Sequence, residues 1–108
     1  MKEAQVQTAI RLALGRIPDA VFWRNNTGVA TFGGASVRYG LSIGSSDLIG
    51  IVAGRFCALE VKGPKGRLTP HQERFLDLVR LKGGFAACVS SVGEAHAAVE
   101  RCRKGECA

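Results

Sequence analysis

The sequence predicts an α/β fold in which a mixed central sheet is flanked by helices. Apolar residues recur at helical spacing in three segments, and short apolar runs bounded by turn residues lie between them. The predicted order is helix, strand, glycine-rich loop, two-stranded hairpin, helix, strand and helix. Because the chain has 108 residues, 46% of them hydrophobic, we expect one globular domain over residues 1–108.

The composition predicts an intracellular protein with a polyanionic partner. The N-terminus lacks a signal peptide, and no apolar run is long enough to span a membrane, so we expect a cytoplasmic location. The four cysteines form no Cys-x-x-Cys pair, and we expect Cys57 and Cys88 to be reduced and buried as small hydrophobes. The net charge of +6 favours a polyanionic partner such as nucleic acid.

The first helix is predicted over residues 3–15. Val6, Ile10 and Leu14 recur every four residues and form one apolar stripe. Glu3 lies two turns before Ile10 on the same stripe. It is either an acid placed to suit the helix dipole or a side chain directed along the buried face towards a functional site.

A short strand at 20–23 leads into a glycine-rich segment at 28–44. We predict that this segment is a mobile loop with a brief strand at 37–39. Arg24, Arg38 and Tyr39 are candidates for contact with phosphate groups. The alternative is a solvated loop without a binding role.

The segment 44–62 predicts two apolar strands joined by a turn at Ala53-Gly54. A two-residue turn places Asp47 opposite Glu60, with side chains about 5 Å apart. Lys62 shares the face of Glu60, since side chains alternate along a strand. Ala-Gly is not the dipeptide that such turns favour, and a bulge would shift the pairing by one residue.

Two carboxylates on apolar strands are costly to bury unless something pairs with them. Mg²⁺ or Mn²⁺ would pair with Asp47 and Glu60, because hard cations prefer oxygen ligands, and the main-chain carbonyl of Val61 is a candidate extra ligand. Such a centre suits phosphodiester hydrolysis, with Lys62 orienting water or stabilising charge on the phosphate. The alternative is a buried ion pair between Glu60 and Lys62.

A basic loop containing Lys65 and Arg67 follows, and we expect it to contact nucleic acid. Thr69, Pro70 and Gln72 then have the spacing of a capping box at the start of a second long helix. Gln72 shares the inward face of that helix. It either lines the site or only caps the helix.

The chain closes with a strand, a helix and a short tail. The strand is predicted at 85–89, and Ser91 with Glu94 forms a second capping box. Apolar positions continue at helical spacing to Cys102. We expect residues 103–108 to be frayed.

These motifs together resemble the VRR-NUC family of the PD-(D/E)XK nuclease superfamily. Ser46-Asp47 and Glu60-Val61-Lys62 correspond to the two halves of the superfamily pattern. The further matching pieces, in chain order, are Glu3 and Gln7, Arg24-Asn25-Asn26-Thr27-Gly28, residues 44–50, residues 66–72, Phe75-Leu76 and Gly83-Gly84.

The resemblance implies a restriction-endonuclease-like core and a Mg²⁺- or Mn²⁺-dependent DNA endonuclease. Asp47 and Glu60 would be metal ligands and Lys62 the catalytic lysine. Glu3 would reach in from the first helix as a further ligand, and Gln72 would line the site.

Stand-alone members of this size are similar to phage-encoded homodimers that act on branched DNA such as Holliday junctions, while larger members act in DNA repair. We therefore expect a structure-selective endonuclease in a bacterial or phage-infected cell. One alternative is a catalytically inactive, basic DNA-binding module that keeps the nuclease fold. Another is a sequence-specific restriction-type nuclease, for which the chain shows no base-reading helix.

Overall fold

The computed structural model describes residues 2–108, which form three helices and six strands. The elements are α1 (Glu3–Leu14), β1 (Ala20–Arg24), β2 (Gly28–Phe32), β3 (Ala35–Tyr39), β4 (Leu48–Val52), β5 (Arg55–Val61), α2 (Pro70–Leu81), β6 (Phe85–Val89) and α3 (Val92–Arg103). Four strands form one sheet in the order β1-β4-β5-β6, and β2 pairs with β3. β5 and β6 are parallel while the other neighbours are antiparallel, so the central sheet is mixed, as predicted.

Helices cover both faces of the central sheet. On one face, α1 and α3 bury the apolar stripes that the sequence predicts. These stripes comprise Val6, Ile10, Leu14, Ala95, Ala98, Val99 and Cys102. On the other face, Leu76 and Val79 of α2 pack on Ala58 and Ala86 of β5 and β6. No helix within residues 2–108 has the length and apolar character needed to cross a membrane.

The capping box predicted for α2 is confirmed. The backbone N–H of Gln72 donates to Thr69 Oγ1 at 3.2 Å, and the N–H of Thr69 donates to Gln72 Oε1 at 2.9 Å. The helix ends before Gly83, whose φ of 93° is left-handed. The bounds of α2 are therefore set by local chemistry that the sequence displays.

The β4–β5 hairpin has the predicted register, with Leu48 opposite Leu59. Its turn places Ala53 at φ 48° and Gly54 at φ 85°, and a two-residue turn of this type requires both positive values. The N–H of Ala53 donates to the carbonyl of Asp19 at 2.8 Å, which holds the turn against the preceding loop. This tertiary contact helps explain why the unfavoured Ala-Gly dipeptide is tolerated.

Residues 28–44 are largely a second hairpin, so the predicted mobile loop with one brief strand is wrong. β2 and β3 pair from Gly28 with Tyr39 to Phe32 with Ala35. The glycines at the tip, at 33–34, have φ of 54° and 84° and supply a tight turn. The hairpin contacts no other helix or strand of the described chain, so it projects from the body.

The C-terminal tail is anchored, which corrects the prediction that 103–108 is frayed. The guanidinium of Arg55 donates to three backbone carbonyls, those of Gly83 at 2.9 Å, Cys102 at 2.6 Å and Glu106 at 2.8 Å. One side chain at the turn end of the β4–β5 hairpin thus joins the end of α2 to the end of α3. Nothing in the local sequence of the tail displays this distant partner.

Removing that side chain is expected to loosen the tail and lower stability. Arg55→Ala leaves three carbonyls without a charged donor, and we expect a loss of about 2 kcal/mol. Thermal unfolding followed by circular dichroism measures the loss, and limited proteolysis detects release of the tail. The exposed Arg16→Ala is the matched control. Equal melting temperatures for the two variants would contradict the anchoring role.

Candidate active site

A cluster of polar side chains lies where three elements meet on the α2 face of the sheet. Asp47 immediately precedes β4, and Glu60 lies near the end of β5. Because β4 and β5 are antiparallel, these two positions are neighbours. Gln72 comes from the first turn of α2, and Lys62 follows β5 directly.

Glu60 is the centre of the cluster and is only 2% exposed. Its Oε1 accepts the backbone N–H of Asp47 at 3.1 Å, and its Oε2 accepts Nε2 of Gln72 at 2.9 Å. The ammonium of Lys62 lies 3.5 Å from the same Oε2. Gln72 therefore caps α2 and also contacts Glu60, so capping is not its only contact.

Asp47 is fixed by the backbone of the neighbouring strand. Its Oδ2 accepts the N–H of Val61 at 2.9 Å. The N–H of Asp47 in turn donates to Glu60, so the carboxylate of Glu60 is held by the backbone of Asp47, and that of Asp47 by the backbone of Val61, next to Glu60. This reciprocal pair fixes the positions of both carboxylates.

The cluster carries more negative than positive charge. Burial, and after it the neighbouring Asp47, raise the pKa of Glu60 to about 7, while Lys62 opposes the shift. Two carboxylates and one ammonium leave an excess negative charge in a buried setting. Such an arrangement favours the binding of a cation.

Glu3 lies beside the cluster without joining it. A Cβ placed on Gly63 would lie 3.5 Å from the Glu3 nitrogen, so the start of α1 adjoins the residue after Lys62. The side chain of Glu3 is exposed, and within residues 2–108 no three acidic, histidine or cysteine side chains converge at metal-binding distance. The role of Glu3 as a further ligand stays a prediction.

The chain has relatives among the known protein families and solved structures. The family model of the VRR-NUC domain matches residues 3–93. The chain belongs to the VRR-NUC family. A solved structure of a VRR-NUC domain is 25% identical to it, covering 93% of this chain and 96% of that chain with a TM-score of 0.59. No curated protein matches. The predicted family and fold class are confirmed, and the chain is a nuclease domain.

The basic residues predicted to contact nucleic acid in this VRR-NUC domain are all exposed. Arg24 pairs with Leu48 in the β1–β4 register, and Leu48 packs on the α1 and α3 side of the sheet, opposite the carboxylates. Lys65 and Arg67 lie in the loop after Lys62, so these two flank the site. Arg38, in contrast, lies on the projecting β2–β3 hairpin.

Asn25 supports the site, a separate role that its sequence pattern did not predict. Its Nδ2 donates to Ser45 Oγ at 2.7 Å and to the carbonyl of Ser46 at 2.9 Å. Its backbone N–H donates to the carbonyl of Asp47 at 2.7 Å. Asn25 therefore holds the loop that presents Asp47. The available signal was its place in the polar run after β1, which matches the VRR-NUC pattern.

Gly44 brings the Asp47 loop against α2. Its φ is 80°, and a Cβ there would lie 2.4 Å from the carbonyl carbon and oxygen of His71. Only glycine permits this backbone-to-backbone contact without movement. The contact sets the spacing between Asp47 and the first turn of α2, where Gln72 lies.

Gly44→Ala is expected to damage both stability and activity. The matched control is Gly34→Ala, because Gly34 has φ 84° but open space around it. Both substitutions strain the backbone, and only Gly44→Ala also produces a clash. We expect it to lose at least about 1 kcal/mol more stability than the control and to slow DNA cleavage. Thermal unfolding and cleavage assays measure these effects, and equal losses would contradict the spacing role.

Cys88 is exposed, so its predicted burial is wrong, whereas Cys57 is buried as predicted. Cys88 pairs with Glu60 in the parallel β5–β6 register and lies on the same sheet face. At this end of the sheet the polar site replaces apolar packing. The alternation of buried and exposed positions along β6 does not show how far α2 extends over the sheet.

Proposed function

We propose that the chain is a Mg²⁺- or Mn²⁺-dependent endonuclease that hydrolyses phosphodiester bonds in DNA. The observation that carries the proposal is the reciprocal pair of Asp47 and Glu60 with Lys62 beside it. The family makes the chain a nuclease domain. The net charge of +6 suits a polyanionic substrate.

The residues present fit a divalent cation. Asp47 and Glu60 offer carboxylate oxygens, and the Val61 carbonyl and Glu3 are candidate further ligands. Burial first, and the neighbouring Asp47 second, raise the pKa of Glu60, and a bound cation would stabilise its charged form against both. Once bound, a divalent ion would polarise the scissile phosphate and lower the pKa of a bound water.

The chain's own side chains would orient the reacting groups and stabilise the charge that develops on the phosphate. Lys62 is held near Glu60, with its side chain 13% exposed, and is placed to stabilise negative charge on the phosphate or to orient the attacking water. Gln72 fixes the orientation of Glu60 through its amide. Lys65 and Arg67 of the basic loop would bind phosphates flanking the site, and Arg24 would bind a phosphate farther along, so that together they position the backbone of the nucleic acid.

We further propose branched DNA as the substrate and a homodimer as the active form. The three long helices pack on the sheet, so none of them is free to enter a major groove as a recognition helix. A two-fold dimer presents two identical sites, which suits symmetric cutting of a Holliday junction during DNA repair. The cytoplasm of a bacterial or phage-infected cell would supply such substrates.

The test is cleavage of linear, flapped and four-way-junction DNA in Mg²⁺, Mn²⁺ or EDTA. We expect cleavage only with the metals, preference for branched DNA, and loss of cleavage in Asp47→Asn. The exposed Asp77→Asn on α2 is the matched control and should cleave normally. Cleavage in EDTA, or by Asp47→Asn at the normal rate, would overturn the mechanism. Binding without cleavage under every condition would favour the inactive DNA-binding module.

A further inference from the structure

The projecting β2–β3 hairpin has one uncovered apolar face. Facing residues share a side of the ladder, so Val29 with Arg38 and Thr31 with Ser36 lie on one side, where Val29 is the one large apolar residue. The other side, called here the hairpin face, consists of Gly28, Ala30, Phe32, Ala35, Val37 and Tyr39. Phe32 is 66% exposed. An isolated two-stranded hairpin is marginally stable in water, so this face needs a partner surface.

The central sheet has a second uncovered apolar surface. α2 packs on β5 and β6 but leaves β1 and β4 bare on the same side of the sheet. Val21, Ile51 and Phe56 lie in one row across three strands, with Trp23 two residues along β1. These four residues, called here the sheet face, include no charged side chain, and Trp23 is 52% exposed.

We infer that the hairpin face of one chain packs on the sheet face of a second copy of this chain, and the reverse, in a two-fold dimer. The inference rests on the homodimer of the proposed function and names the surface that forms it. Both unpartnered surfaces belong to the same chain. A two-fold dimer would therefore bury the hairpin face and the sheet face of both copies. The hairpin contacts no other element of its own described chain and is therefore free to reach a partner.

The combined exposed area of the two faces is close to the area that each partner buries in a stable dimer. An aromatic side chain presents about 150–250 Å², so the exposed parts of the large side chains on both faces amount to roughly 600–700 Å² per chain. A stable interface buries about 800 Å² per partner. Tryptophan and tyrosine at the centre of such a surface are the residues that carry most binding energy in interfaces.

The charge of the two surfaces argues against DNA as the occupant. The chain has a net charge of +6, yet neither face contains a lysine or arginine. Binding to the phosphate backbone depends on such residues. Arg38 lies on the opposite side of the hairpin and stays available for nucleic acid in the dimer.

The test uses Trp23, the only tryptophan, as a reporter in protein free of DNA and metal. Sedimentation equilibrium should show a dimer at micromolar concentration. Dilution should dissociate it and shift the tryptophan emission to longer wavelength as Trp23 enters water. Val37→Glu and Ile51→Glu, one on each face, should each weaken the dimer at least about 100-fold. Thr31→Glu, on the other side of the same hairpin, is the matched control and should remain dimeric.

Three results would overturn the inference. They are a monomer at all concentrations, a blue shift of the Trp23 emission only after DNA is added, and equal weakening by Thr31→Glu and Val37→Glu. Circular dichroism melts of each variant confirm that the domain is folded. A dimer that buries Trp23 but cleaves no DNA would keep this interface and refute the proposed nuclease activity. A monomer that cleaves junctions would refute this interface and keep the proposed nuclease activity.

Discussion

Replacing Lys62 with methionine is expected to slow DNA cleavage at least about 100-fold while the domain stays folded. The ammonium lies 3.5 Å from Glu60 Oε2, and its side chain is 13% exposed, so it is held in place before any substrate binds. Methionine keeps most of the aliphatic stem and removes only the charge. Single-turnover cleavage of junction DNA in Mg²⁺ measures the loss directly.

The matched control for this experiment is Lys65→Met. Lys65 is exposed in the loop that follows the site. Its replacement should weaken DNA binding, in a salt-dependent manner, without slowing the cleavage step at saturating enzyme. Cleavage could slow by the same factor in both variants, or Lys62→Met could melt many degrees below the wild type. Either result would mean that Lys62 has a general electrostatic or structural role and no specific part in the reaction.

The second large effect concerns the stability of the metal-free protein. The pKa of Glu60 is about 7 in the folded chain against an ordinary 4.5, so the folded state binds its proton more tightly than the unfolded state. The carboxylate therefore destabilises the fold above pH 7, and this penalty disappears as the pH falls towards 4.5. We expect the wild type to gain on the order of 2–3 kcal/mol from this group between pH 8 and pH 5.

Urea unfolding in EDTA at a series of pH values measures this gain. Glu60→Gln should remove the gain and should be more stable than wild type at pH 8. Addition of Mg²⁺ at pH 8 should stabilise the wild type and leave Glu60→Gln unchanged, because a ligand that binds only the folded state raises stability. The exposed Glu73→Gln should behave as wild type. A pH slope that persists in Glu60→Gln would show that another group carries it.

The parts of the site that the sequence predicted follow from strict local rules. Turn length and side-chain alternation place Asp47 opposite Glu60, and the capping box orients Gln72. These rules act within one hairpin or one helical turn. For this reason the register and the inward direction of Gln72 were accessible from residue order alone.

The missed features depend on contacts between distant segments. Asn25 binds a loop that begins 20 residues later, and Arg55 binds carbonyls up to 51 residues away. The β2–β3 hairpin was missed because its glycines resemble a loop and because it has no buried face within the chain to impose a clear pattern. The exposure of Cys88 depends on where α2 ends in space, which periodicity does not show.

The anchor at Arg55 also determines where the chain can be extended. Arg55 begins β5 and Glu60 lies near its end, so the two ends of this strand are about 17 Å apart at 3.3 Å per residue. The tail beyond α3 is held at the Arg55 end. A fluorophore or affinity tag joined after Ala108 would therefore be attached at a fixed point on the side of the molecule away from the carboxylates, where it can report on DNA binding without obstructing the site.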